Sequence, residues 1–336
     1  MSTKRLPNKA IILACALLVL AFAACTQAQP TPTVTQMVAK ETGALAEPVT
    51  IRIAVLPITD ALPMYVAQQS GYFQAHGVKV EFIPSASAAE RDQIIAAGQA
   101  DGMINEIVAT LLYNHQQVQI QIVRFARVAS AEWPQYYLLA SGKSGITTVE
   151  GLKGVEIGVS EGTIIEYVTD RMLQAEGFNP EEIKVVAVPK ISDRMALLSS
   201  GELKAGTLPD PLAFLAIQQG AVVVLDDSRH PGMGHSTYAF RKEFINQHPE
   251  AIRSFLAALE QAIGEINAAP EKWDSLLSEQ KLVPDPLIGS YQVPQFPTAS
   301  VPGEELWNDV LAWAKAEGLV QADVAYQDSV NPTFLP

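Results

Sequence analysis

Gly158-Val159-Ser160-Glu161-Gly162 has the G-x-S-x-G spacing, in which a serine on a sharp strand-to-helix turn can act as a nucleophile. Candidate partners follow in hydrolase order, Asp210 or Asp226 as the acid and His235 or His248 as the base. A secreted serine hydrolase working through Ser160 is therefore one reading. Against it, no HGGG-type oxyanion sequence is present. A glycine-rich turn that opens a helix serves equally well to hold a ligand, because the first turn of a helix leaves backbone N–H groups unpaired. On that second reading Ser160, Gly162 and Thr163 contact a bound molecule.

Three further loops carry polar residues ahead of a helix: Thr59-Asp60, Asn105-Glu106 and Leu208-Pro209-Asp210. An aspartate before a helix is also an ordinary cap, so Asp60 and Asp210 keep a structural reading beside the functional one. Glu132-Trp133-Pro134-Gln135-Tyr136 offers an aromatic face, Trp133 foremost, for a planar ring, or else core packing. His230 and His235 lie in a Pro/Gly loop with no cysteine and no second histidine pair, a poor match to zinc spacing. Met195 with Leu197 and Leu198 fits the core-facing stripe of a helix and needs no cofactor. Neither metal nor cofactor is expected.

These loops need elements to hold them. Val49 to Val55 alternates β-branched residues as a strand does, a turn follows at Pro57 to Asp60, and Ala61 to Ser70 reads as a helix stopped by Gly71. Val78 to Ile83, then a helix from about Ala88 to Ala97 ended by Gly98, repeats the unit. The alternation continues to about residue 232 and predicts parallel-rich sheets covered by helices. Arg91, Gly98 and Gly102 are echoed by Arg194, Gly201 and Gly206, with the same Arg-to-Gly separation, which implies two lobes of similar topology. Beyond Pro249 the pattern turns helical, with helices expected over Ala251–Ile266, Glu271–Gln280 and Gly303–Glu317.

The N-terminus reads as an address. Lys4, Arg5 and Lys9 precede an uncharged apolar run from Ala10 to Ala24, too short for a stable membrane span. Residues 1–24 are the expected signal peptide. Phe22-Ala23-Ala24-Cys25 resembles a bacterial lipobox, so Cys25 is the expected lipidation site and residues 25–48, rich in Pro, Thr and Gln, a lipid-anchored flexible tether. With Cys15 removed and Cys25 acylated, no cysteine remains for a disulfide, a zinc site or a nucleophile. The net charge of −13 becomes more acidic on processing, which argues against nucleic acid and anionic membrane surfaces as partners.

Met64-Tyr65-Val66-Ala67-Gln68-Gln69-Ser70-Gly71-Tyr72-Phe73, Ile94 with Ala97-Gly98-Gln99-Ala100-Asp101, Gly151-Leu152-Lys153-Gly154-Val155-Glu156-Ile157-Gly158-Val159 and Leu208-Pro209-Asp210-Pro211 occur in a telling order. Together they resemble the nitrate/taurine/alkanesulfonate/thiamine-precursor group of ABC-transporter solute-binding proteins. That resemblance implies an α/β, bilobal type II periplasmic binding protein with two parallel-rich sheets flanked by helices and two crossovers at a hinge. Lobe one would span about 49–138 plus 236–336 and lobe two about 139–235. It also implies a non-enzymatic monomer, anchored outside the cytoplasm, that passes a small-molecule solute to an ABC permease and its ATPase. A ligand-sensing subunit for a membrane receptor is an alternative. A related pyrimidine-synthase enzyme is disfavoured by the export signal. In such a fold the four loops face one cleft, and Asp60, Glu106, Glu161 and Asp210 there favour a neutral or cationic solute with N–H donors, held by Glu106 and Asp210.

Overall fold

The structure, a computed structural model, describes residues 47–336. The signal peptide, Cys25 and nearly all of the tether lie outside the described residues. The strands, in chain order, are β1 (Val49–Val55), β2 (Val78–Pro84), β3 (Gly102–Asn105), β4 (Ile120–Val128), β5 (Tyr136–Ala140), β6 (Glu156–Val159), β7 (Lys184–Ala187), β8 (Ala205–Pro209), β9 (Val222–Asp226) and β10 (His235–Arg241). The helices are α1 (Leu62–Gln69), α2 (Tyr72–Ala75), α3 (Ala88–Ala96), α4 (Ile107–Asn114), α5 (Ile164–Ala175), α6 (Ile191–Ser200), α7 (Leu212–Gln218), α8 (Lys242–Gln247), α9 (Pro249–Ala268), α10 (Asp274–Glu279), α11 (Glu304–Ala316) and α12 (Tyr326–Ser329).

The strands form two five-stranded sheets, ordered β2-β1-β3-β10-β4 and β7-β6-β8-β5-β9. Each has a parallel trio at one side and then one antiparallel strand, β10 or β5, wedged against the last. The shared order accounts for the echo of Arg91, Gly98 and Gly102 in Arg194, Gly201 and Gly206. The fold is thus α/β and bilobal, with the chain crossing between sheets twice, from β4 to β5 and from β9 to β10. Asp227 ties these crossings together, its Oδ1 accepting the N–H groups of Gln135 (2.8 Å) and Tyr136 (3.2 Å).

Local chemistry starts and stops the elements. Ser87 Oγ accepts the Glu90 N–H (3.2 Å) while Glu90 Oε2 reaches back to the Ala86 N–H (2.7 Å), a reciprocal cap on α3. Thr163 Oγ1 accepts the Ile165 N–H at the head of α5. In α9 the residues Ile252, Phe255, Leu256, Leu259, Ile263 and Ile266 recur at helical spacing and are all buried, each such side chain contributing about 1.5–3 kcal/mol relative to exposure. The helix begins two residues before the expected Ala251 because Pro249 suits the first turn. The segment from Pro270 to Trp273 is a tight 3-10 turn, so α10 starts at Asp274 rather than Glu271.

One apolar cluster covers the α1 and α9 face of the first sheet and a small one the α6 and α7 face of the second. A third runs through both sheets, joining α4, α5 and α11 around the fully buried Trp307 and Trp313. Polar contacts reinforce this seam: Trp313 Nε1 donates to Asp170 (2.8 Å), and the Tyr167 hydroxyl donates to Asp309 (2.8 Å).

Candidate ligand cleft

The loops after β1, β2 and β3 meet the loops after β6, β7 and β8 across one cavity. Its walls include Asp60, Asn105 and Glu106 from the first sheet, Ser160, Thr163 and Asp210 from the second, and Gln135, Tyr136 and Ser236 from the crossings. Loops at the carboxyl ends of parallel strands are where α/β folds place ligands, since helix N-termini converge there. The free space in this closed arrangement is small, about 80 Å³. A larger solute requires the lobes to part or the walls to adjust.

Each residue singled out in the sequence has a definite place. Asn105 donates from Nδ2 to Thr110 Oγ1 (2.9 Å) and accepts from the Thr237 hydroxyl (2.8 Å). Glu106 is the cap of α4, its Oε2 accepting the Ala109 N–H at 2.8 Å, and its Oε1 lies 3.7 Å from Arg91 Nη2. Burial raises its carboxyl pKa, with Arg91 pulling the other way. Thr163 donates to the Ser160 carbonyl (2.7 Å) and lines the cavity. Gly162 has a left-handed backbone (φ +69°) and gives its N–H to Glu166 Oε2 (2.6 Å). Thr59 lies behind Asp60, its hydroxyl 3.0 Å from the Tyr291 hydroxyl.

Asp60 and Asp210 are not caps. Both surround Arg127, whose Nη1 lies 2.6 Å from Asp210 Oδ2 and 3.6 Å from Asp60 Oδ1, all three side chains 2% exposed. Ser236 (2.5 Å) and Gln135 Nε2 (3.0 Å) donate to Asp60 Oδ2. Burial raises the Asp210 pKa and Arg127 opposes the rise. Two expectations change as a result. Glu106 and Asp210 are not free carboxylates waiting for a cation, because each already faces an arginine. Glu161 is exposed and does not line the cavity.

Trp133 also departs from expectation. It lies outside the cleft, in a neighbouring cavity, while Tyr136 of the same segment lines the cleft. The chain bends over residues 131–133 before β5 begins at Tyr136.

The hydrolase constellation does not assemble. Ser160 Oγ donates to the Pro189 carbonyl (2.9 Å) and accepts from Arg194 Nη1 (3.1 Å). His235 is buried elsewhere, its Nδ1 3.0 Å from the Met233 carbonyl and its Nε2 3.5 Å from the Ile107 amide, and burial lowers its pKa to about 4. His248 packs on Phe244 with 4.9 Å between ring centroids. No group of three His, Cys, Asp or Glu among the described residues could hold a metal.

Several buried polar atoms in the walls of the cleft lack partners. Among the described residues Asp210 Oδ1, Gln135 Oε1 and Arg91 Nη2 are buried and lack a hydrogen bond, and all three side chains line the cavity. Arg194 Nε and Nη2 are unpaired too, and burial lowers that guanidinium's pKa to about 10. The arginines were not anticipated as site residues. Their signals were present, Arg91 and Arg194 as matched positions of the repeat and Arg127 as a charge inside an apolar strand.

A family profile described as NMT1/THI5 like matches residues 58–273. A putative aliphatic sulfonates-binding protein of Escherichia coli is 26% identical over 195 residues, spanning 58% of this chain and 59% of that protein. A 4-amino-5-hydroxymethyl-2-methylpyrimidine phosphate synthase of Legionella pneumophila is 20% identical over 289 residues, covering 82% of this chain and 88% of the enzyme. Among solved structures, the alkanesulfonate-binding protein of Xanthomonas axonopodis pv. citri bound to MOPS superposes with a TM-score of 0.71 at 17% identity, over 85% of this chain and 99% of that one.

Proposed function

The chain belongs to the NMT1/THI5-like family, and on that premise we propose that it is the solute-binding subunit of an ABC importer. It captures a small neutral or cationic solute bearing N–H donors and at least one acceptor. The observation that carries this reading is the cavity between two sheets with unpartnered acceptors, Asp210 Oδ1 and Gln135 Oε1, and an unpartnered donor, Arg91 Nη2. Gln135 and Asp210 adjoin, since the Asp210 N–H donates to the Gln135 carbonyl (2.9 Å), so one N–H-bearing edge can face both. Buried polar groups left unpaired are costly, and a solute that satisfies them gains what they lack.

The arginines narrow the charge of that solute. Glu106 faces Arg91, while Asp60 and Asp210 share the single guanidinium of Arg127, so the cleft keeps an excess of negative charge that a neutral or cationic solute tolerates. A fully anionic solute would crowd the same carboxylates. A planar aminopyrimidine has the required alternation of donor and acceptor. The family includes both binding proteins and a pyrimidine-phosphate synthase by name, and binding without catalysis is favoured here because no histidine lines the cleft and Ser160 has no base. Lipid attachment at Cys25, a location outside the cytoplasm, a monomeric state and delivery to a permease and ATPase complete the proposal, resting on the leader sequence and the resemblance.

Isothermal titration tests it. 4-amino-5-hydroxymethyl-2-methylpyrimidine should bind, and Asp210→Asn should weaken it by about 1–3 kcal/mol if a charge-assisted bond is lost. A thermal melt of the variant checks that the fold persists. Tight binding of taurine or nitrate, unaffected by Asp210→Asn, would overturn the ligand assignment.

A further inference from the structure

A second cavity, of about 450 Å³, shares Asp210 with the cleft but opens on the other side of it. Four aromatic rings line it: Trp133, Tyr137, Phe214 and Tyr291. Phe214 stands between two of them, 5.4 Å from Tyr137 at 65° and 5.9 Å from Tyr291 at 89°. Rings set at such angles make the walls of a corner rather than a stacked block. Phe214 is 39% exposed, one of the few large apolar side chains left open to solvent among the described residues.

Charge adds a second, independent sign. Glu132 and Asp226 line the cavity beside Asp210, and neither forms an ion pair among the described residues. Asp210, 2% exposed, keeps Oδ1 without a partner. The single cation in the lining, Arg127, is already held between Asp60 and Asp210. Aromatic faces carry negative potential, and carboxylates around them deepen it.

We propose that this cavity is a second binding site, which takes a small alkylammonium cation against Phe214, Trp133 and Tyr291 with Asp226 and Asp210 supplying the countercharge. Because Asp210 stands in both walls, a cation seated here draws on the carboxylate that Arg127 otherwise holds, so occupancy of one cavity is felt in the other.

Choline chloride is the probe, titrated into the whole protein while Trp fluorescence and heat are followed, with sodium chloride at equal ionic strength as the control. Saturable binding is expected, absent for the neutral analogue in which carbon replaces the ammonium nitrogen. Phe214→Ala and Phe214→Leu should each weaken it by about tenfold, the leucine variant showing that the ring face and not apolar area is required. Asp226→Asn should weaken it as well. A response that sodium chloride reproduces, that the neutral analogue shares, or that survives both Phe214 substitutions overturns the proposal. Loss of choline binding with Gln135→Leu but not with Phe214→Ala would put the cation in the cleft and overturn it equally.

Discussion

Arg127 is the residue on which the interior charge balance turns. Two carboxylates from different sheets converge on one guanidinium, and burial alone would disfavour its charge while Asp210, Tyr291 and Asp60 hold it on. Removing one member of such a group leaves the others charged and dry, which is worse than never having had them. Arg127→Met should therefore destabilise the protein by about 3–5 kcal/mol in urea unfolding, and adding Asp210→Asn should recover part of that loss. A second residue-level outcome concerns Glu166, whose pKa burial raises to about 7 against an ordinary 4.5. The folded state holds that proton more tightly than the unfolded chain, so the associated stability is present below about pH 4.5 and disappears as pH rises through 7. Glu166→Gln should melt higher than the parent at about pH 8, with the difference vanishing toward pH 4.5. The sequence exposes the oddity of Arg127 and Arg124 in an apolar strand. It does not expose their partners, because Asp210 is distant in sequence and meets Arg127 only where two sheets converge.

At the scale of elements the alternation of strand and helix was readable, since hydrophobic period and glycine stops are local properties. Val49–Val55 falls where the pattern puts it, and the second strand, Val78–Pro84, runs one residue past the expected Ile83. Side-chain roles within the same loops were less readable. Glu106 caps a helix although Asp60 and Asp210 looked the better caps, and Trp133 and Tyr136, three residues apart, line different cavities. Close packing of elements offers its own test. Gly102 in β3 lies so near β10 that an added Cβ would stand 2.5 Å from the Phe240 ring. Phe240 is fixed in turn by Phe255, 5.4 Å away. Gly102→Ala should thus cost about 1–3 kcal/mol by denaturant unfolding, in line with other overpacked interiors, and it should leave the cleft loops of the second sheet undisturbed.

For the whole molecule, the two sheets are joined unequally at two places. The seam of α4, α5 and α11 is continuous apolar core and is built to stay closed. The contact of α7 with the segment near Tyr291 is smaller and mixed, with Leu215 packed among apolar side chains of the first sheet's cluster beside edge-on rings and hydrogen bonds of the Tyr291 hydroxyl to Asp210 (2.5 Å) and to Thr59. Small, mixed contacts between lobes permit relative motion more readily than a large apolar seam. Tyr291→Phe should shift the population toward the open form and weaken solute affinity by a few-fold, although Tyr291 does not itself line the cleft. Small-angle scattering should show a larger radius in the variant than in the parent before solute is added, and convergence after saturation. That same releasable contact offers a practical use. Both cysteines of the chain precede residue 47, so a dye attached through Ile288→Cys, an exposed position beside the segment that meets α7, would be the sole thiol label of the folded body. Each opening or closing would change the dye's surroundings. Since the proposed role consumes nothing, its brightness would report solute concentration continuously, and the protein would serve as an optical gauge.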